Sequence, residues 1–218
     1  MPELGWLFNV PVLRFLLIGL GYTLALAALS ITISFALGML LALGRLSRFP
    51  LIRYPATLYI EIIRSLPLLL IIAFTFFGLP QIIGVQLEPF QAGVIALSGF
   101  TAALLAEIIR SGILSVNRGL IEAAQSQGFT GVQVLGLVTL PIALRRMTPA
   151  IVSQFITLLK DTSLTAIIGI LELTRRGRII SSQPPFEPIP VFALIAVIYF
   201  LVNYGLSLVS RGLEERQA

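Results

Sequence analysis

The sequence predicts an all-α integral membrane protein with five transmembrane helices. Three observations carry that prediction. Only 11% of the 218 residues are charged and 57% are hydrophobic, where a soluble domain carries about a quarter charged residues. Apolar runs long enough to cross the bilayer core recur five times. Arginines collect at the ends of these runs, in alternate connections with one exception, as the positive-inside rule requires.

Composition excludes several functions. The chain has no cysteine and no histidine, which removes disulfides, thiol and imidazole catalysis and most transition-metal sites. No GxxxxGK[ST] loop is present, so the chain has no nucleotide phosphate loop of its own. The net charge of +5 suits an anionic membrane surface, because no basic patch with interleaved aromatics supports nucleic-acid binding. The first residues lack a basic, apolar and small-residue succession, so they read as mature sequence.

Residues 1–12 read as an interfacial lead, with Trp6 and Phe8 at headgroup level. The first span covers about residues 13–43. Its length exceeds the roughly twenty residues needed to cross, so it tilts or protrudes. Gly19, Gly21, Ser30, Ser34 and Gly38 offer a small-residue surface for a neighbouring helix. Gly44 to Pro55 is a loop with Arg45, Arg48 and Arg53 and no acid, hence cytoplasmic, which puts the N-terminus outside.

The second span covers about residues 57–79 and is kinked at Pro67. Glu61 and Arg64, at i and i+3, are expected to pair. Gln81 to Pro89 is an outer loop, and the third span covers about residues 90–109. It ends at a second Glu-Ile-Ile-Arg, Glu107 to Arg110, so charge pairs are expected to anchor both spans at the inner interface. The fourth and fifth spans cover about residues 149–171 and 189–209. The connection TRRGRIISSQPPFEPIP reads as a polar, proline-rich outer loop. Its Arg175, Arg176 and Arg178 break the charge rule, but Arg211 and Arg216 in the tail still favour a C-terminus inside.

Residues 119–141 form a cytoplasmic segment too polar for the bilayer. The pattern predicts a short helix with Glu122 in its first turn and a break at Gly128. A second amphipathic helix of Val132, Leu135, Leu137 and Val138 is stopped by Pro141. The small pair Ala123-Ala124 leaves room for another protein surface. A plain connecting loop with a surface helix fits the same residues.

Lys160-Asp161-Thr162-Ser163 sits near the centre of the fourth span. A central Lys or Asp costs roughly 2.5–3.5 kcal/mol, so these side chains face a bundle interior or an aqueous cavity. Asp-Thr-Ser is also N-cap chemistry, so the span is a candidate for a break that leaves a half-helix end in the cavity. Two roles stay open. One is contact with a substrate carboxylate and amino group. The other is a salt bridge to Glu61 or Arg64.

Glu122-Ala-Ala, three residues, Gly128, nine residues, Val138-Thr-Leu140-Pro141 resembles the EAA signature of membrane subunits of ATP-binding-cassette importers. The sequence EIIRSLPLLL, FGLP, AEIIRSGILSV, EAAQSQG, LP and SQFITLLKDTSL, in that order, is similar to polar amino-acid permease subunits of such bacterial importers. The likeness runs from about Leu20 to Arg216. Arg64-Ser65-Leu66-Pro67 and Ser115-Val116-Asn117 depart from the family's usual R-G-T-P and S-V-P.

The resemblance implies the importer permease fold, a single permease domain over residues 1–218, and short cytoplasmic coupling helices that dock on a separate ATPase. It assigns Glu122, Ala123, Ala124, Gly128, Leu140 and Pro141 to that docking. The charges and hydroxyls of Glu61, Arg64, Lys160, Asp161, Thr162 and Ser163 are the candidates for the substrate pathway. It implies ATP and magnesium on the partner ATPase, none on this chain, and no metal. The implied partners are a second permease copy or similar chain, an external solute-binding protein, a polar amino acid and the bilayer of a bacterial inner membrane. The alternative is an ion-coupled carrier or channel working without an ATPase, against which the lack of an inverted repeat counts.

Overall fold

Leucine and alanine dominate residues 10–46, and Pro11 sits in the first turn, where a missing N–H costs nothing. They form helix α1 (Val10–Leu46). The structure, a computed structural model, describes residues 9–184 and 187–215, with side chains to residue 208. Trp6, Phe8, the Arg211 side chain and Arg216 lie outside that description.

Helix α2 (Pro50–Ser65) begins on Pro50, so the expected loop to Pro55 contracts to three residues. Arg45 belongs to α1 and Arg53 to α2. Pro55 is inside the helix, past the first turn, and leaves the Leu51 carbonyl without its intrahelical donor.

The expected kink at Pro67 is a break. Leu66 and Pro67 are extended, as a residue before proline prefers. The chain resumes as α3 (Leu68–Ala73), a π-turn Phe74–Gly78 and α4 (Leu79–Ile83). The two halves meet at 108°. The bend leaves an apolar cavity of about 800 Å³ beside Tyr59, Leu66, Phe74 and Gly99, where the Tyr59 hydroxyl donates to the Gly99 carbonyl at 3.0 Å.

Helix α5 (Pro89–Leu114) starts with a capping box between Glu88 and Gln91. It is the central element, packed on α1 through small residues. Gly19, Thr23, Ala27, Ser30, Ser34 and Gly38 are buried on α1, Gly38 against α5 and Gly19 and Thr23 against residues 172–176, whereas Gly21 faces open space. A Cβ on Gly38 would stand 2.8 Å from the Leu105 Cβ and 3.1 Å from the Ala102 carbonyl oxygen. Small residues here let backbones approach, which is how helices associate where no hydrophobic force separates them from lipid.

Contacts along these two helices fix the topology. Tyr22 and Phe90 ring centroids lie 6.5 Å apart near the starts of α1 and α5. Arg45 and Glu107 join at 2.8 Å near their ends. The helices therefore run parallel, and the chain between them must cross back once. The bent pair is a broken span, and the spans among the described residues number five.

Helix α6 (Arg118–Ser126) and a short turn α7 (Gly131–Gln133) lead through a π-stretch Val134–Thr139 into α8 (Leu140–Asp161). Pro141 does not stop this helix, and Pro149 lies within it rather than opening it. The wider π-turns precede Pro141 and carry the helix past a residue that has no N–H to donate.

The fourth span does not run on to Leu171 as one α-helix. It tightens to a 3₁₀ stretch, Thr162–Ile168, and reverses at Gly169 with φ +93°. The Thr162 and Thr165 hydroxyls donate back to the Leu159 and Thr162 carbonyls at 2.7 and 2.6 Å. Asp161 makes no capping bond, so no half-helix starts there.

The expected outer loop contains α9 (Leu173–Ser181), which lies against the outer end of α1. Helix α10 (Pro188–Glu215) packs its Ile195 against Gly177 of α9 and returns toward the inner side.

Candidate coupling and transport sites

Asn117 accepts a hydrogen bond from the Gly119 amide at 2.8 Å and caps α6. With α6 starting at Arg118, Glu122 falls in its second turn, not its first. The dipole argument for that carboxylate is correspondingly weaker. Glu122 and Ala123 are exposed, and Ala124 is buried. Gly128 has φ +91°, a conformation that penalises a Cβ. Thr130 and Gln133 then form a capping box that restarts the helix. Val132 and Leu137 are 82% and 66% exposed, Pro141 is exposed, and Leu140 is half-buried. The result is an inner surface with an acid, a small residue and two exposed aliphatic side chains.

The charges at the inner ends of the spans form one network. Glu107 on α5 accepts from Arg45 of α1 at 2.8 Å and from Arg110 Nε at 3.1 Å. Arg64 of α2 approaches it at 3.7 Å. Glu61 pairs with Arg45 at 3.1 Å, not with Arg64 as its spacing suggested. The link between the two acids is Arg45, which the repeated Glu-Ile-Ile-Arg does not contain. It bridges two helices because α1 ends between them.

Lys160 and Ser163 line a 300 Å³ cleft with Thr174, Phe192, Ala196 and Tyr199. Lys160 is exposed, Asp161 and Ser163 are half-buried, and Thr162 is buried. None of the four ion pairs among the described residues includes Lys160 or Asp161. The structure thus separates Glu61 and Arg64 from Lys160 to Ser163, and the expected salt bridge between the two groups is not formed.

Beside that cleft lies a polar cluster that sequence reading missed. Glu172 is fully buried and caps α9, accepting from the Thr174 and Arg175 amides at 2.8 and 2.6 Å. The Tyr199 hydroxyl donates to it at 3.3 Å. Thr23 of α1 accepts from the Leu173 amide at 3.2 Å. Burial pushes the Glu172 carboxyl above the ordinary carboxylate range, and the hydrogen bonds from Thr174, Arg175 and Tyr199 oppose that. Glutamate is not a usual N-cap residue, and nothing in the sequence marked Tyr199.

The outer arginines have a structural role. Arg175 donates to the Ala166 carbonyl at 2.8 Å and Arg176 to that of Leu171 at 2.9 Å. The Arg176 guanidinium stacks over the Phe15 ring at 4.4 Å. These side chains satisfy carbonyls freed where the 3₁₀ stretch turns, rather than marking a cytoplasmic loop.

Residues 34–218 match the family described as binding-protein-dependent transport system inner membrane component. The chain belongs to that family. A probable glutamine ABC transporter permease protein of Bacillus subtilis (strain 168) is 48% identical over 207 residues, 94% of each chain. A glutamine transport system permease protein of Escherichia coli (strain K12) is 32% identical over 215 residues, 98% of each chain. A solved amino acid ABC transporter superposes with a TM-score of 0.89 at 36% identity, covering 95% of this chain and 96% of that one. The chain is therefore a multi-pass, non-enzymatic inner-membrane subunit of an ABC importer, and its ATPase is a separate chain.

Proposed function

We propose that this permease subunit carries a polar amino acid, glutamine foremost, across the inner membrane of a bacterium. The observation that favours this reading is the 94% coverage at 48% identity by a relative named for glutamine. Two copies, or one copy and a similar chain, enclose the path. An external binding protein delivers the substrate. ATP with magnesium, bound by the partner ATPase, draws the coupling segments together and rocks the spans from inward-open to outward-open.

The exposed Glu122, Ala123, Gly128 and Pro141, with half-buried Leu140 beside them and Ala124 packed behind, form the ATPase contact. Lys160, Asp161, Thr162 and Ser163 belong to the substrate pathway. An unpaired lysine within a span is stable only against water, substrate or a second protein surface, because lipid charges it roughly 2.5–3.5 kcal/mol. Glu61 and Arg64 act at the inner end of that pathway, in the Arg45–Glu107 network.

The test is uptake by proteoliposomes holding the assembled importer and its binding protein. ATP-dependent glutamine accumulation supports the reading, and Asp161→Asn with Lys160→Met should reduce it without loss of assembly. Accumulation driven by an ion gradient with no ATPase present would replace it with the carrier alternative.

A further inference from the structure

The inner end of α5, helix α6, the π-stretch and the α1–α2 connection enclose a cavity of about 520 Å³. Its lining divides by chemistry. Arg48 and Arg118 supply two guanidinium groups, Gln125 and Thr139 neutral polar groups, and Val116 and Val134 part of an apolar floor. No carboxylate lines it. Arg48 and Arg118 take part in none of the ion pairs among the described residues. Beside Arg48, Phe49 and Leu51 are 71% and 90% exposed.

We propose that this cavity holds an anionic phospholipid of the inner leaflet, its phosphate between Arg48 and Arg118 and an acyl chain against the apolar floor. Two cations without an acid suit a phosphate and not a zwitterionic amino acid, whose ammonium group would have no partner. The floor and the adjacent Phe49 and Leu51 suit a ligand with a hydrocarbon tail. A basic pocket between helices on the cytoplasmic side is also where headgroups bind membrane proteins. Arg118, Ile121 and Gln125 face the cavity at i, i+3 and i+7 on α6. Ala123 lies round the helix from them, while Glu122, at i+4 from Arg118, stands at the border between the cavity and the ATPase contact. The lipid would wedge the coupling segment against α5 and the first connection, making coupling sensitive to membrane charge.

This inference rests on the cytoplasmic placement of the coupling segment and not on the identity of the amino acid. The test uses the complete importer in nanodiscs of phosphatidylcholine with a minor fraction of phosphatidylglycerol, followed by detergent extraction and mass spectrometry of the retained lipid. Retained phosphatidylglycerol is expected to fall at least about tenfold in the Arg48→Gln, Arg118→Gln double variant. The Arg48→Lys, Arg118→Lys double variant should keep it, which separates loss of charge from loss of fold. Arg53→Gln, whose guanidinium stacks over Tyr54 at 5.2 Å, should also keep it. Equal retention in all variants overturns the proposal. So does release by millimolar inorganic phosphate, which would identify a free-anion site. Loss of the ATPase from the glutamine double variant with lipid retention unchanged would show instead that the arginines hold the ATPase. Normal ATP-driven uptake with no specifically retained lipid overturns this inference alone and leaves the importer reading intact.

Discussion

The Arg176 side chain of α9 lies across Gly19 of α1, and a Cβ on that glycine would stand 2.6 Å from the Arg176 Cδ. The same Cβ would meet the Leu173 Cα at 3.0 Å and the Glu172 carbonyl oxygen at 3.2 Å. Arg176 is 7% exposed, held by two aromatic rings and the carbonyls of Leu171 and Phe15. An outer arginine is thus used to lock the reversal after the fourth span onto the first.

Gly19→Ala should therefore destabilise the chain by about 1–3 kcal/mol, the usual cost of overpacking. Backbone atoms as well as a flexible side chain stand in the way. Gly21→Ala, on the same helix with nothing within 4 Å, should stabilise by up to about 1 kcal/mol through helix propensity. Thermal unfolding of the two variants in one detergent checks the difference.

The inner network predicts unequal roles for its two acids. Glu107 serves Arg45, Arg64 and Arg110 and is 23% exposed at its side chain. Glu107→Gln should cost about 1–3 kcal/mol by leaving charged donors short of an acceptor. Glu61 is 61% exposed at its side chain and pairs with Arg45 alone. Glu61→Gln should cost no more than about 1 kcal/mol, as exposed pairs do. Denaturation midpoints of the single variants, with the double variant to expose coupling through Arg45, test this.

Glu172 predicts a pH dependence of stability. Burial holds its folded pKa above the unfolded value, so the folded state binds the proton more tightly. The stability from this proton is fully present below the unfolded pKa and is lost as pH rises through the folded one. Glu172→Gln removes the titration together with one of the two oxygens that accept from the Thr174 and Arg175 amides, so the pH slope and not the absolute melting temperature is compared. Its melting temperature should fall less than that of the wild type between acidic and neutral pH. An unchanged slope would show that the carboxyl is already ionised in the fold.

At Gly128, φ +91° with no neighbour within 4 Å makes any substitution a matter of backbone strain alone. Gly128→Val should cost about 1–3 kcal/mol locally while leaving the spans inserted. Gly128→Asn should cost less, since asparagine tolerates this region better than other residues. Co-purification of the ATPase with each variant reads the result: retention falling in the order Gly, Asn, Val ties the turn to docking, and equal retention dissociates the two.

Much of this protein follows from sequence alone. Apolar length and arginine placement decide the class, the five crossings and their direction, because lipid permits few alternatives to a helix with satisfied backbone groups. Gly128 announced a chain break, and Pro67 a kink, through their own backbone chemistry. The spacing around Glu122 pointed to the importer permeases without any coordinates.

Tertiary structure decided the rest. Whether Pro67 and Pro141 break or merely widen a helix depends on what packs around them: one produces a 108° bend and the other a π-stretch that runs through. The partner of Glu61 turned out to be Arg45 and not its neighbour Arg64, because α1 ends where α2 and α5 meet. Glu172, Tyr199 and Thr23 come from three distant segments and form one buried cluster. Local sequence encodes torsional preference and hydropathy, whereas which polar groups meet in the interior is set by how the helices dock.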